Sequence, residues 1–200
     1  MGKRIEFFFD FSSPYGYLAA QEIEALGERQ GAEIVWRPFL LGASFKATGI
    51  PPLVEVPWKS DYARHDLTRA ARRIGVPYVW PEPFPFMSVA AARAFYWLDE
   101  SDSAAAKELA LALYAKAFGE GGDIAHAGEV TEIAVGLGHD RNAVGAALQD
   151  PEIKARLREI TDQALERKIF GSPFFFVDDQ AFWGHDRLPH LEQWLETGGW

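Results

Sequence analysis

Residues 5–9, Ile5-Glu6-Phe7-Phe8-Phe9, form a short and almost continuously apolar run of β-formers. That is the pattern of a strand covered on both faces in a parallel or mixed sheet. Ser13 and Pro14 follow as a helix cap and a proline suited to the first helical position, where a missing N–H costs nothing. Tyr15, Leu18, Ala19, Ile23 and Leu26 then recur at helical spacing until Gly31, with Gln21, Glu22, Glu24 and Glu28 on the other faces. Ile34-Val35-Trp36 predicts a second strand ending at Pro38. Strand, helix and strand in this order predict a parallel βαβ unit and an α/β fold.

Glycines and prolines across residues 40–57 predict an irregular loop. Beyond it, Ala63, Leu67, Ala70 and Ile74 step along one helix face that Gly75 ends. Further helical patterns cover residues 88–98 and 102–118, and the glycine-rich stretch 126–148 predicts two short helices. Asp150 and Pro151 open another helix, with Ile153, Leu157, Ile160 and Ala164 on its apolar side. Residues 174–177 and 180–183 flank Asp178-Asp179 as a β-hairpin, and residues 188–195 predict a closing helix. The expected order is βαβ, an all-helical block, then ββα.

At 200 residues the chain suits one domain, since domains run to about 100–200 residues. A hydrophobic fraction of 48% supplies a core and excludes an intrinsically disordered chain. The net charge of −9 argues against nucleic acid and anionic lipid as partners. No membrane span and no secretory signal is legible, so a cytoplasmic protein is expected. The absence of cysteine has the largest consequence: disulfides, Cys-ligated metals and a protein thiol nucleophile are all excluded, so any thiol chemistry must use an external thiol. Dinucleotide, Walker A and H-E-x-x-H motifs are missing, and the five histidines are scattered, so no metal site is expected.

The strand-to-helix turn at Ser13 is the most informative position, because a helix start offers free N–H groups and partial positive charge to an anion. Ser13 has no histidine near it in sequence to act as a base, so its hydroxyl suits donation to a thiolate better than attack. Helix capping alone also accounts for it. Ser172-Pro173 enters the hairpin, and a cis bond there would leave the Ser172 backbone open to an extended peptide; an ordinary strand-initiating proline fits as well. Asp186 reads as the cap of the last helix or as a partner for a ligand ammonium group. Lys59, Arg64, Arg69, Arg72 and Arg73 form a basic stretch suited to a small anion or to a solvated helix face. Trp58, Trp80, Phe84, Phe86 and Met87 cluster around proline-rich turns and are candidates to wall an aromatic pocket, with core packing the alternative.

Together, residues 10–18 (DFSSPYGYL), 45–49 (FKATG), 56–59 (VPWK) with Tyr62, Asp66 and Leu67, residues 170–173 (FGSP) and residues 182–188 (FWGHDRL) resemble the 2-hydroxychromene-2-carboxylate isomerases and the related kappa-class glutathione transferases. The resemblance covers nearly the whole chain. It implies a DsbA-like thioredoxin fold, with the thioredoxin part in about 1–40 and 169–200 and a helical insertion in about 58–168. Ser13 and Gly16 fall where the two active-site cysteines of a thioredoxin-fold oxidoreductase would stand, so dithiol redox chemistry is excluded.

The resemblance further implies glutathione as the thiol. Ser13 would bond its sulfur, Lys59 would contact it, and Ser172, beside Pro173, would pair its backbone with the tripeptide. Asp186, beside His185, would meet the γ-glutamyl end. Ile50 departs from the family's usual asparagine, and His185 stands where the family has serine or asparagine before the aspartate. The implied reaction is isomerisation of a small aromatic carboxylate, 2-hydroxychromene-2-carboxylate, in aromatic catabolism, by an enzyme of a family in which homodimers are common. A kappa-type transferase or peroxidase and a non-redox binding protein are the alternatives, with a Ser/His/Asp hydrolase behind them.

Overall fold

The computed structural model describes residues 2–200. Its centre is a four-stranded mixed sheet built from β1 (Lys3–Phe9), β2 (Ala32–Pro38), β3 (Phe174–Val177) and β4 (Gln180–Trp183), in the order β2-β1-β3-β4. β1 pairs parallel with β2, Phe7 opposite Trp36, and antiparallel with β3, Phe7 opposite Phe175. α1 (Pro14–Gln30) makes the crossover from β1 to β2. α9 (Leu188–Thr197) follows a 3₁₀ turn at His185–Arg187 and lies beside α1, where Arg29 and Glu192 form an ion pair of 2.8 Å.

Between β2 and β3 the chain is helical. It runs through α2 (Leu41–Thr48), a 3₁₀ turn (Leu53–Glu55), α3 (Lys59–Ile74), α4 (Val89–Asp99) and α5 (Ser103–Tyr114). α5 continues as a π-helical turn (Ala115–Gly119), followed by α6 (Ala127–Gly136), α7 (Arg141–Ala147) and α8 (Pro151–Glu166). This is the βαβ–helical block–ββα order that the periodicities predict.

One expectation is corrected. The segment 40–57 is not an irregular loop, because α2 occupies its first half. Leu40 provides no side-chain cap; instead the Leu41 N–H donates to the buried carboxylate of Asp10 at 2.7 Å, and the Ser44 hydroxyl donates to the Ile169 carbonyl at 2.7 Å. Both anchors are distant in sequence, so the local pattern cannot show them.

The helical block shares its core with the sheet. Phe9 meets Trp36, Phe95 and Tyr114 with ring centroids 5.3, 6.1 and 5.8 Å apart, and Phe7 stacks on Phe175 at 5.3 Å. Polar anchors tie the same layers: Tyr96 donates to the Pro38 carbonyl at 2.5 Å and Tyr114 to the Asp10 carbonyl at 2.9 Å. Aromatic side chains at these positions bury large apolar areas while their hydroxyls satisfy the ends of β1 and β2. Among the described residues no helix is long and apolar enough to cross a membrane.

Candidate functional site

The turn from β1 into α1 is held by Asp10. Its carboxylate accepts the N–H and hydroxyl of Ser12 at 2.8 and 2.9 Å, and the N–H of Leu41 at 2.7 Å. Its main-chain N–H donates to the Ser172 hydroxyl at 3.0 Å. The Asp10 carbonyl accepts from Ser13 N–H and from Tyr114. This one residue therefore joins the turn, α2, α5 and the strand-entry segment at Ser172.

Ser13 is the N-cap of α1, with its Oγ accepting from Gly16 N–H at 3.0 Å, as its residue type favours. It is 5% exposed. Its hydroxyl proton goes to the Ser172 carbonyl at 2.9 Å. The Ser172-Pro173 peptide is cis. The expectation of an open Ser172 backbone is thus corrected in part, because its carbonyl is bonded by Ser13. Its N–H finds no protein acceptor among the described residues, and neither does that of Tyr15 in the first turn of α1, since the other first-turn groups bond Ser13 or, at Pro14, lack a proton. Two unpaired N–H donors and the positive end of a 17-residue helix therefore flank the Ser13 hydroxyl.

Gly16 makes the packing behind Ser13 possible. A Cβ there would lie 2.6 Å from the Tyr114 hydroxyl and 3.2 Å from both Ser13 Cβ and Ser172 Oγ. On the far side, Trp183 lies so close to Gly171 that a Cβ would fall 2.2 Å from its indole nitrogen. Trp183 and Phe170 meet edge to face at 4.8 Å and stay partly exposed, forming an aromatic step beside Ser172.

α3 is aligned by two contacts with α1. Tyr15 donates to Asp66 at 3.0 Å, and Arg73 donates to Glu22 at 3.3 Å. Both pairs are 51 residues apart, so the helices run parallel and in step. At about 1.5 Å rise per residue, Lys59 lies roughly 10 Å back along α3 from Asp66, while Ser13 lies only about 3 Å back from Tyr15. The start of α3 therefore overhangs the start of α1. Lys59 is exposed and forms no ion pair among the described residues.

The segment after β4 reaches the same place. Gly184 N–H donates to the Pro173 carbonyl at 3.1 Å, and the buried His185 ring stacks on Tyr15 with centroids 5.3 Å apart. Burial lowers the His185 pKa below its ordinary value; the Asp186 carboxylate opposes this and Arg73 adds to it. Burial, reinforced by the bond to Asp66, raises the Tyr15 hydroxyl far above the usual tyrosine range and keeps it a neutral donor. Asp186 is not the cap of the last helix, where Arg187 stands without a side-chain cap bond. The Asp186 carboxylate is instead exposed, 3.7 Å from Arg187.

Ser13, Ser172, Pro173, His185 and Asp186 thus converge around the start of α1, with Lys59 beyond it. Asp10, Tyr15, Asp66 and Tyr114 complete the arrangement; the first three lie in the segments that carry the family resemblance, which assigns them no role, although Asp10 followed by Ser12 is an Asx-turn pattern, and Tyr114 carries no signal. Of the aromatic residues around the proline-rich turns, Trp80, Phe84 and Phe86 pack with one another and onto Phe118, whereas Trp58 and Met87 are exposed.

Residues 4–196 match the DSBA-like thioredoxin domain family. The chain is 34% identical over 197 residues to a 2-hydroxychromene-2-carboxylate isomerase of Sphingobium xenophagum, covering 98% of this chain and 99% of the relative. It is 27% identical to glutathione S-transferase kappa 2 of Caenorhabditis elegans, covering 96% of this chain and 92% of that one. A solved structure of a 2-hydroxychromene-2-carboxylate isomerase superposes with a TM-score of 0.87 at 31% identity, over 96% of this chain and 94% of that one. A cysteine-free turn at Ser13, on a fold shared over its whole length with these proteins, places the chain in the DSBA-like thioredoxin family and, within it, in the isomerase family of the 2-hydroxychromene-2-carboxylate isomerases.

Proposed function

We propose that the protein is a glutathione-dependent, cytoplasmic isomerase that converts 2-hydroxychromene-2-carboxylate to trans-o-hydroxybenzylidenepyruvate. The observation that carries the reading is Ser13: a buried hydroxyl at a helix start, facing the Ser172 backbone, in a chain without cysteine. The names of its relatives, isomerases and a kappa glutathione transferase, supply the substrate and the thiol.

The residues present fit a tripeptide thiol. Among the described residues Ser172 N–H and Tyr15 N–H have no protein acceptor and Lys59 has no ion-pair partner, while Asp186 is an exposed carboxylate. Lys59 would take a carboxylate of glutathione, and Asp186 its γ-glutamyl ammonium. The chemistry supplied by bound glutathione is reversible addition of a thiolate to a conjugated carbon, which makes a double bond single, permits rotation, and restores conjugation on elimination without net redox change.

Ser13 has one proton to give. In this structure it goes to the Ser172 carbonyl. Turning that O–H toward a bound sulfur favours the thiolate, since hydrogen bonds and helix-end charge both lower a thiol pKa. The same turn releases the Ser172 carbonyl to accept an N–H from the tripeptide, so thiol activation and backbone pairing occur together.

The test is calorimetric titration of reduced glutathione into wild type and Ser13→Ala, with thiol ionisation followed by ultraviolet absorbance. Binding in both with ionisation only in wild type is the expected result; no binding at millimolar glutathione removes the reading. Product analysis with the chromene carboxylate separates isomerisation from a kappa-type transferase, which would release a glutathione conjugate.

A further inference from the structure

Trp58 is 87% exposed, and among the described residues its indole pairs with no other ring and no cation. It is also strained. Its φ of 65° and ψ of −40°, with the Lys59 N–H donating to the Pro57 carbonyl at 2.8 Å, make it the centre of a γ-turn of the rare positive-φ kind. A bulky L-residue is a genuine outlier there. Yet the position is tied down, since the Trp58 carbonyl accepts the first helical bond of α3 from Tyr62 N–H at 3.0 Å.

Its place in α3 is informative. Tyr62, Asp66, Arg69 and Arg73 follow at steps of four, four, three and four residues, one row of a helix face. Asp66 and Arg73 in that row bond Tyr15 and Glu22 of α1. Trp58 stands just before that row, as the non-helical cap one residue ahead of Lys59, at the end of α3 that overhangs the start of α1. The exposed indole is carried on a strained backbone position, and backbone strain collects at ligand clamps.

We propose that Trp58 is a specificity-determining residue whose indole stacks on the aromatic ring of the substrate held over Ser13. This rests on the isomerase reading and adds the element that recognises the ring. The γ-turn fixes the backbone at Trp58, which would relax if glycine stood there.

Wild type, Trp58→Gly and Trp58→Phe are compared with 2-hydroxychromene-2-carboxylate at saturating glutathione. Trp58→Gly is expected to raise KM about threefold to tenfold, the range of an aromatic pair, with kcat nearly unchanged and a higher unfolding midpoint. Trp58→Phe recovers KM to within about twofold of wild type, as a smaller stacking ring does. An unchanged KM in Trp58→Gly overturns the proposal and leaves the isomerase reading intact. If wild type does not convert the chromene at all, the isomerase reading falls, and calorimetric titration of 2-naphthoate with glutathione present decides the stacking role. Weaker binding to Trp58→Gly than to wild type upholds that role; equal binding, or none to either, overturns it.

Discussion

The Ser13 hydroxyl donates to the carbonyl oxygen of Ser172 at 2.9 Å, across 159 residues of chain. The bond joins the helix start to the strand entry, and under the proposed function its single proton would serve either the Ser172 carbonyl or a bound sulfur. A structural cap would need only the Gly16 N–H that Ser13 already accepts. The second bond ties α1 to the strand entry and, under the proposed function, is the one a bound thiol would exchange.

Gly16→Ala should destabilise the protein despite alanine's better helix propensity, worth about 1 kcal/mol. The added methyl meets a Tyr114 hydroxyl that cannot swing away, being fully buried and bonded to the Asp10 carbonyl. Overpacking of this kind costs about 1–3 kcal/mol. Urea unfolding should show a net loss of up to roughly 2 kcal/mol, largely absent when the same change is made in a Tyr114→Phe background. Equal losses in both backgrounds would show that the clash lies elsewhere.

Lys59→Ala should weaken glutathione binding about tenfold, more at low salt than at high, while leaving the unfolding midpoint unchanged. The separation follows from the absence of any ion pair to Lys59 among the described residues. Calorimetry at two ionic strengths reads the first effect and thermal melting the second. A midpoint that falls with unchanged affinity would make Lys59 a structural residue.

His185 should make the protein less stable as pH falls. Its folded pKa lies below the ordinary value because burial against Tyr15 disfavours the cation. Below about pH 6.5 the unfolded chain binds a proton that the folded one refuses, so the stability is complete above that pH. It is lost as pH falls toward the folded pKa and constant beneath it. His185→Phe, which keeps a ring on Tyr15, should flatten the change in urea midpoint between about pH 7.5 and 5. Parallel curves for the two proteins would assign the effect to other groups.

Much of the architecture is legible along the chain because it depends on local periodicity. The apolar run of β1, the Ser13-Pro14 helix start, the Gly31 and Gly75 helix ends and the Asp178-Asp179 hairpin turn all read directly. The lack of cysteine by itself excludes dithiol redox chemistry. α2 is not legible, since its first N–H is satisfied by Asp10 rather than by a neighbouring cap. Asp186 looks like a helix cap because Asp before a helix usually is one, but a 3₁₀ turn intervenes and leaves its carboxylate exposed beside Arg187.

By itself the sequence determined the element types and the lack of a protein thiol, and pointed to the candidate residues Ser13, Lys59, Ser172, Pro173, His185 and Asp186. Only the tertiary structure decided that the Ser13 proton rests on Ser172, that His185 is buried on Tyr15, and that α3 runs in step with α1 so that Lys59 and Trp58 overhang its start. The reason is physical: helix and strand periods are properties of a few neighbouring residues. These contacts are set by sheet register and helix packing between segments 51 to 170 residues apart, which no local pattern encodes.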